Sequence, residues 1–304
     1  MYLHNNKSLF KSVIKGINET TSYPSAIIEK DYYVSLILKM LSEMNDKVVF
    51  KGGTSLSKAY HVIGRFSEDI DITFTEHIGE ARRKKLKYNI MKVIADTLGL
   101  EISNWDYIQS DRDLNEYLMV YKPSSNLIIQ AVQPVIKVET SLSSYSFPVN
   151  MMPISSYVYE YLIANDEKDI ISKYNLEPFN MKVQSLERTY IDKVFAICDY
   201  YINGKSTRLS RHLYDLFKIQ GKINFNDEFK ALINEVRIHR RKMGSKICPS
   251  AQDGVSINAI LDNITREDYY KEDFLSVTET LINEEVGYDE VRDNLQKIIE
   301  QDYF

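Results

Sequence analysis

A short apolar run followed by two glycines most constrains how this chain can fold. The run Val48-Val49-Phe50 predicts a buried strand, and Gly52-Gly53 directly after it permits a tight turn. Residues 55–63 then predict a helix, which places the turn at a helix N-terminus. Backbone N–H groups and the helix macrodipole favour an anion at such a position. The sequence therefore indicates a strand, a turn and a helix that together can bind a phosphate.

Two aspartates lie on the next predicted strand. Alternation over residues 69–74 places Asp69 and Asp71 on one face of that strand. Two carboxylates at i and i+2 can hold one or two Mg²⁺ ions, which prefer oxygen ligands and retain substrate phosphates in their shell. Each motif alone also has an ordinary interpretation, as a simple turn or a solvated strand face. Their succession along the chain makes the pattern more specific.

The joined pattern resembles the nucleotidyltransferase superfamily related to DNA polymerase beta, although the gap from Gly53 to Asp69 is slightly longer than usual. The segments KGGTSLSKAY and RFSEDID are similar to those of one branch of this superfamily, the AbiEii/AbiGii toxins of type IV toxin–antitoxin and phage-exclusion systems. Three other segments support this branch: EKDYYV upstream, and ERTYIDK and RHLYDL downstream. The resemblance runs from about residue 25 to 220 and fades toward the C-terminus.

The downstream segments contain a lysine and an aspartate whose roles each have more than one interpretation. Lys193 lies beside an apolar helical stripe, so it is either a snorkelling stem or a cation aimed into a cleft. Asp215 either lies on a helix surface, orients Lys193 or Arg211, or acts nearer the chemistry. The resemblance implies that both are site residues. Lys193 would then bind triphosphate oxygens and offset charge on the leaving pyrophosphate.

A third acid is expected on a later strand. Pro134 separates two β-rich segments, because the middle of a central strand does not tolerate proline. The strand over 135–140 places Lys137 and Glu139 on one face. Glu139 is either a third metal ligand or general base, or a strand-end glutamate on a solvated edge. Both interpretations stay open at this stage.

The resemblance further implies which residues bind a nucleoside triphosphate (NTP) and its metal. Asp69, Asp71 and Glu139 would hold Mg²⁺, with two ions possible. Besides Lys193, the expected nucleotide contacts come from the glycine turn and from two cations in the motif segments: Gly52, Gly53, Thr54, Ser55, Lys58 and Arg65.

Length and composition bound the rest. The chain has 304 residues, 44% hydrophobic and 27% charged, which fits a soluble globular protein large enough for two domains. It contains no apolar run near the ~20 residues that span a bilayer, and no signal-peptide pattern at its start, so a cytoplasmic location and no membrane partner are expected. Cys198 and Cys248 fit no zinc spacing and are expected to be buried thiols.

Charge is locally clustered although the whole chain is mildly acidic. The net charge is −5 and the pI about 5.7, so no global field attracts nucleic acid. Two basic clusters are nevertheless candidate RNA contacts: Arg82, Arg83 and Lys84, and Arg240 and Arg241. The competing interpretation is that both clusters are solvated helix faces.

These signals predict an α+β (α/β) protein. A nucleotidyltransferase-fold α/β domain with a mixed sheet and N-terminal helices is expected over residues 1–150. A mainly helical domain over 151–304 is expected to pack against it and to contribute Lys193 and Asp215 to the cleft. Helices are predicted at 7–20, 25–44, 80–98, 226–243, 267–284 and 288–300.

The predicted activity is transfer of a nucleoside monophosphate (NMP) from an NTP to an acceptor hydroxyl. The resemblance implies RNA as the acceptor, namely the tRNA acceptor end, and hence a block of translation or growth. It also implies a cognate antitoxin, which in this family often acts without a stable complex. Two alternatives remain, because no local feature identifies the acceptor: nucleotidylation or phosphorylation of protein, and a GTP- or NTP-binding module without turnover.

Overall fold

The computed structural model describes residues 1–21, 23–65, 67, 69–124, 132–143 and 145–304. The chain forms two compact units. The first unit contains residues 1–59, 68–145 and 149–183, and the second contains residues 60–67, 146–148 and 184–304. Sequence placed a boundary at residue 150, but the segment after it supplies two more strands to the sheet of the first unit.

The first unit alternates helices with short strands. Its helices and strands are, in chain order, α1 Lys7–Thr21, α2 Ser25–Met44, β1 Val48–Lys51, α3 Gly52–Lys58, β2 Ile70–Phe74, α4 Glu80–Lys85, α5 Lys92–Leu98, β3 Glu101–Ile102, β4 Leu114–Val120, β5 Val135–Ser141, β6 Val149–Ile154, α6 Tyr157–Ala164, α7 Lys168–Tyr174 and β7 Phe179–Gln184. A π-helical turn, Leu86–Met91, joins α4 to α5, so the helix predicted over 80–98 is present with one distortion.

The strands form one seven-stranded sheet in the order β3-β4-β5-β2-β1-β7-β6. β1 runs antiparallel to β2, whereas β2 is parallel to β5 and β1 is parallel to β7. The sheet is therefore mixed, as predicted. β2 and β5 are interior neighbours, which brings the Asp-x-Asp strand beside the strand that carries Glu139.

Helix α3 differs from its prediction in position. It begins at Gly52 and ends at Lys58, whereas the sequence pattern predicted a helix over 55–63. The glycine pair thus forms the first turn of the helix instead of preceding it. The helix ends at Lys58, and His61 has a φ of +52°, so the backbone leaves the helical conformation before residue 63.

The second unit is helical. Its helices are α8 Leu186–Ile202, α9 Arg211–Gln220, α10 Asp227–Arg241, α11 Ile257–Arg266, α12 Lys271–Asp273 and α13 Tyr288–Gln301. The predicted helices over 226–243 and 288–300 are confirmed by α10 and α13. The helix predicted over 267–284 is broken into α12, a π-helical turn and a 3₁₀ turn, and α11 was not predicted.

Side-chain caps fix the two helices that carry Lys193 and Asp215. Ser185 caps α8 by accepting the N–H of Arg188 at 3.2 Å. At the start of α9, the carboxylate of Asp273 accepts the N–H of Ser210 at 2.8 Å and its hydroxyl at 2.6 Å. Both helices bury their apolar faces, and this packing also fixes the positions of Lys193 and Asp215.

Two expectations from composition can be compared with the structure. Cys198 and Cys248 are both buried free thiols, as predicted. Among the described residues, no helix is long and apolar enough to cross a membrane.

Candidate active site

The glycine turn lies against the carboxylate of Asp71. Gly52 has a φ of +78°, a left-handed conformation that favours glycine. A β-carbon built on Gly52 would lie 2.0 Å from Oδ2 of Asp71. Only glycine therefore allows the N-terminal turn of α3 and the Asp-x-Asp strand to approach this closely.

Three other predicted nucleotide contacts, Thr54, Ser55 and Lys58, are buried or bind other residues of the first unit. Thr54 and Ser55 are buried, and the Ser55 hydroxyl donates to the carbonyl of Gly52 at 2.8 Å. The Lys58 ammonium lies 2.5 Å from the carboxylate of Asp31. The other Asp31 oxygen accepts the N–H of Tyr157 at 2.9 Å, so this carboxylate links α2, α3 and α6. Of the turn residues, Gly52 and Gly53 are partly exposed.

The predicted carboxylates lie on neighbouring strands. Asp71 and Glu139 are register partners across the parallel β2–β5 pair. Asp69 precedes β2, which begins at Ile70. Because β5 lies between β4 and β2, Glu139 is on an interior strand, and the alternative of a solvated edge is wrong. The structure thus brings Glu139 beside the Asp-x-Asp motif.

Lys137 joins these acids. Its ammonium lies 2.6 Å from Oε1 of Glu139 and 3.2 Å from Oδ2 of Asp69. Burial alone would lower the pKa of Lys137, but Glu139 and Asp69 outweigh burial and raise it. The ammonium therefore stays charged and offsets the repulsion between the two carboxylates.

The donor set has the chemistry that Mg²⁺ requires. Asp69, Asp71 and Glu139 supply only carboxylate oxygens, the ligands that Mg²⁺ prefers. Within the described part of the chain, no group of three or more His, Cys, Asp or Glu side chains is close enough together to hold a metal ion. The three side chains are therefore of the right chemical type for Mg²⁺. Two of them, Asp69 and Glu139, form ion pairs with Lys137.

A second polar cluster lies in the second unit. The Arg65 guanidinium donates from Nε to Oδ1 of Asp215 and from Nη2 to Oδ2, both at 2.7 Å. The Lys193 ammonium donates to the same Oδ2 at 2.6 Å. Asp215 is 0% exposed. The alternatives of a snorkelling Lys193 and a surface Asp215 are therefore wrong, because both groups are buried in one ion-pair network.

The electrostatics of this cluster favour an anion. Burial alone would raise the pKa of Asp215, but Arg65 and Lys193 hold it below its ordinary value. Burial lowers the pKa of Lys193, against the opposing effect of Asp215. Arg211 lies close enough to contribute to this lowering. Two cations thus bind one buried carboxylate, and a third lies near Lys193.

His212 is a neighbour of this cluster that the sequence pattern did not single out. Its Nδ1 lies 3.5 Å from the Lys193 ammonium. Burial, together with Lys193 and Arg211, lowers the pKa of His212 well below 6.5. The imidazole is therefore neutral near pH 7 and can accept a hydrogen bond from Lys193. The sequence signal that could have found it is its place in the RHLYDL segment, three residues before Asp215.

The basic residues predicted to contact RNA all have acidic partners. Arg82 pairs with Glu76, Arg83 with Asp113 and Lys84 with Glu80. The arginines of the other cluster are paired as well, Arg240 with Asp192 and Asp199, and Arg241 with Asp253. Arg82 and Lys84 have side chains that are more than half exposed, whereas that of Arg240 is 14% exposed.

Comparison with known proteins places this geometry in a family. The family model described as nucleotidyl transferase AbiEii toxin, type IV toxin–antitoxin system, matches residues 36–301. Among solved structures, the fold is similar to that of MenT4, a nucleotidyltransferase toxin from Mycobacterium tuberculosis, with a TM-score of 0.51 and 14% sequence identity. The match covers 96% of this chain and 88% of that chain. No curated protein matches this chain.

The family match spans most of the chain and includes the glycine turn, the Asp-x-Asp strand and the Lys193 and Asp215 helices. The sequence resemblance is thereby confirmed, and the enzyme class is that of a nucleotidyltransferase. The chain belongs to the AbiEii family of nucleotidyltransferase toxins of type IV toxin–antitoxin systems.

Proposed function

We propose that this protein transfers an NMP from an NTP to a hydroxyl of RNA, at the tRNA acceptor end, and so inhibits translation or growth. The acceptor oxygen forms a bond to the α-phosphorus, the bond from that phosphorus to the β-phosphate bridge oxygen breaks, and pyrophosphate leaves. The observation that carries this proposal is the approach of the Gly52 turn to Asp71, beside Glu139 in register. This arrangement combines a phosphate-binding backbone with acidic oxygen ligands.

The first unit supplies the acidic half of the chemistry. Asp69, Asp71 and Glu139 would hold Mg²⁺, which when bound neutralises phosphate charge. The backbone of Gly52 and Gly53 would contact phosphate oxygens at the start of α3. If Glu139 is not a metal ligand, its carboxylate is the proposed acceptor of the proton from the attacking hydroxyl.

The second unit supplies positive charge. We assign Lys193 to the triphosphate because it belongs to a buried ion-pair network with Arg65 and Asp215. A desolvated cation interacts more strongly with phosphate charge than an exposed one does. Asp215 holds Lys193 and Arg65 by hydrogen bonds, so its proposed role is to orient these cations. Arg65 is then a support for Lys193 as well as a candidate nucleotide contact.

RNA contacts are proposed mainly for the first unit. Arg82 and Lys84 are more than half exposed, and exposed ion pairs with glutamate are weak enough to exchange for phosphate. Arg83, Arg240 and Arg241 remain candidates, although their internal pairs favour structural roles. A cognate antitoxin and a cytoplasmic location, where tRNA and NTPs are present, complete the proposal.

A label-transfer assay tests this function. Purified protein and its Asp69→Ala/Asp71→Ala variant are incubated with Mg²⁺, tRNA and each α-labelled NTP in turn, and RNA and protein are resolved on denaturing gels. We expect label on RNA with the wild type alone. Label on protein instead would replace the RNA acceptor with a protein acceptor, and bound NTP without any transfer would support a binding module.

A further inference from the structure

The segment before the Asp-x-Asp motif is held by the C-terminal part of the second unit. Arg65 forms an isolated antiparallel bridge with Ile282. The N–H of Asn283 donates to the carbonyl of Gly64 at 2.8 Å. Residues 282–284, which we call the C-terminal strap, therefore bind the Gly64–Arg65 backbone as a strand would.

A tyrosine and a glutamate complete this attachment. The N–H of Gly64 donates to the Tyr214 hydroxyl at 2.9 Å. That hydroxyl in turn donates to the carboxylate of Glu284, in the strap, and Lys218 donates to the other carboxylate oxygen at 2.8 Å. Tyr214 is buried and Gly64 is half-buried, so loss of the Tyr214 hydroxyl removes the hydrogen-bond acceptor of the Gly64 N–H.

The packing around Gly64 is tight enough to fix its position. A β-carbon on Gly64 would lie 2.9 Å from Oε1 of Glu284 and 3.4 Å from the Tyr214 hydroxyl oxygen. Burial alone would raise the pKa of Glu284, but its hydrogen bonds from Lys218 and Tyr214 lower it. Glu284 is therefore a charged acceptor near pH 7, which strengthens the hydrogen bond from Tyr214.

Two successive residues of α9 hold the same short segment in different ways. Tyr214 binds the backbone of Gly64, and Asp215 binds the side chain of Arg65. Asp215 also accepts a hydrogen bond from the ammonium of Lys193. The position of the Gly64–Arg65 backbone therefore affects how the Arg65 guanidinium binds the Asp215 carboxylate. The orientation of that carboxylate in turn affects where it holds the Lys193 ammonium.

We propose that Tyr214 and Glu284 are positioning residues for nucleotidyl transfer, which act through Gly64, Arg65 and Asp215 to place the Lys193 ammonium for the triphosphate. This inference rests on the proposed triphosphate role of Lys193. It gives the C-terminal strap a function in the reaction, beyond completing the fold of the second unit.

The test compares four single variants and one double variant. Tyr214→Phe removes the hydroxyl and keeps the ring, Glu284→Ala removes the acceptor, and Glu284→Gln keeps an oxygen that accepts from Tyr214. The matched control is Tyr201→Phe, because the Tyr201 hydroxyl also donates to a glutamate of the second unit, Glu267, at 2.9 Å. Binding of inorganic tripolyphosphate is measured by calorimetry, and steady-state kinetics are measured with NTP and tRNA, at matched thermal stability.

Loss of one hydrogen bond should weaken tripolyphosphate binding about fivefold in Tyr214→Phe and Glu284→Ala. KM for the NTP should rise in parallel, while KM for tRNA stays constant. Glu284→Gln should fall between the wild type and Glu284→Ala, because its amide oxygen still accepts from Tyr214 but carries no charge. Tyr201→Phe should behave like the wild type. Because Tyr214 and Glu284 act in series, the variant with both Tyr214→Phe and Glu284→Ala should be no weaker than the weaker single variant.

The outcomes separate this inference from the function on which it rests. The positioning role alone would be overturned if Tyr214→Phe bound tripolyphosphate with wild-type affinity. It would also be overturned if this variant had a lower melting temperature and less active protein but an unchanged KM. A wild type that does not bind tripolyphosphate would overturn the phosphate role of Lys193 and this inference together. Transfer to protein in place of RNA would change the acceptor only.

Discussion

Oδ2 of Asp71 lies 2.0 Å from the point where a β-carbon of Gly52 would stand. The contact is made between the first turn of α3 and the strand β2, so it is a tertiary constraint on a single glycine. The positive φ of Gly52 adds a backbone constraint of the same kind. Any side chain at this position must displace the carboxylate that we assign to the metal.

Gly52→Ala should abolish transfer. Its positive φ costs about 1–2 kcal/mol of stability for a residue with a β-carbon, and the clash moves Asp71 as well. Gly99→Ala is the matched control, because Gly99 also has a positive φ but no heavy atom within 4 Å of the added β-carbon. Melting curves and transfer rates of both variants are the measurements: an active Gly52→Ala protein would show that the close approach is not required.

Lys193→Met should lose triphosphate binding without losing stability. The folded-state pKa of Lys193 is below 10.5, so its buried ammonium costs folding free energy at neutral pH, and this cost disappears only as pH rises from the folded pKa toward 10.5. Asp215 keeps its two hydrogen bonds to Arg65 in the variant. Thermal unfolding and calorimetry with NTP provide the two readouts, and unchanged affinity for NTP in a folded variant would contradict a binding role.

His212 should make the second unit less stable at acid pH. Its folded pKa is well below 6.5, so below pH 6.5 the unfolded chain binds a proton that the folded chain does not. The free energy of unfolding should then fall by up to about 1.4 kcal/mol per pH unit, until the folded pKa is reached. His4 and His239 have lowered pKa values too, so the comparison is between wild type and His212→Asn. Equal pH dependence in both proteins would rule out this account.

Lys137→Met should increase the dependence of stability on divalent metal. Lys137 offsets the charges of Asp69 and Glu139, and without it these carboxylates repel one another. We expect a lower melting temperature without Mg²⁺ and a larger upward shift on adding it than in the wild type. The Asp71→Asn/Lys137→Met variant is the control that removes a proposed ligand. A metal-independent melting temperature in both proteins would argue against a site at these residues.

The two basic clusters should respond differently to mutation. Arg240 is buried between Asp192 and Asp199, so Arg240→Ala should lower the free energy of unfolding by about 3 kcal/mol. Arg82→Ala/Lys84→Ala should change stability by less than about 0.5 kcal/mol but weaken tRNA binding. The slope of log affinity against log salt should become shallower by about one for each phosphate contact that is lost. An unaltered slope would exclude Arg82 and Lys84 from the RNA contact.

Local sequence patterns predicted the elements that depend on short-range chemistry. The apolar run before Gly52 is the buried strand β1, and the alternation around Asp71 is the strand β2. The proline before residue 135 marks the start of β5, as expected. The interior position of Glu139 could not be predicted, because strand order depends on contacts between distant segments.

Side-chain partners were the least predictable part of the site. The pairing of Arg65 with Asp215 joins residues 150 positions apart, so no local pattern reveals it. The same applies to Glu284, which lies in the region where the family resemblance fades but contacts Tyr214. The domain boundary expected at residue 150 falls within strand β6. The β-rich segment predicted before Pro134, residues 128–133, lies outside the described residues up to residue 131.

Parallel reactions with α-labelled and γ-labelled NTP test the central claim most directly. Wild-type protein, Asp71→Asn and Gly99→Ala are each incubated with Mg²⁺ and tRNA, and the RNA is separated from small phosphates. Nucleotidyl transfer predicts α-label on RNA and γ-label in pyrophosphate for the wild type and Gly99→Ala, and neither product for a folded Asp71→Asn. The account would be contradicted by γ-label on the acceptor with α-label in a nucleoside diphosphate, which is the result of phosphoryl transfer.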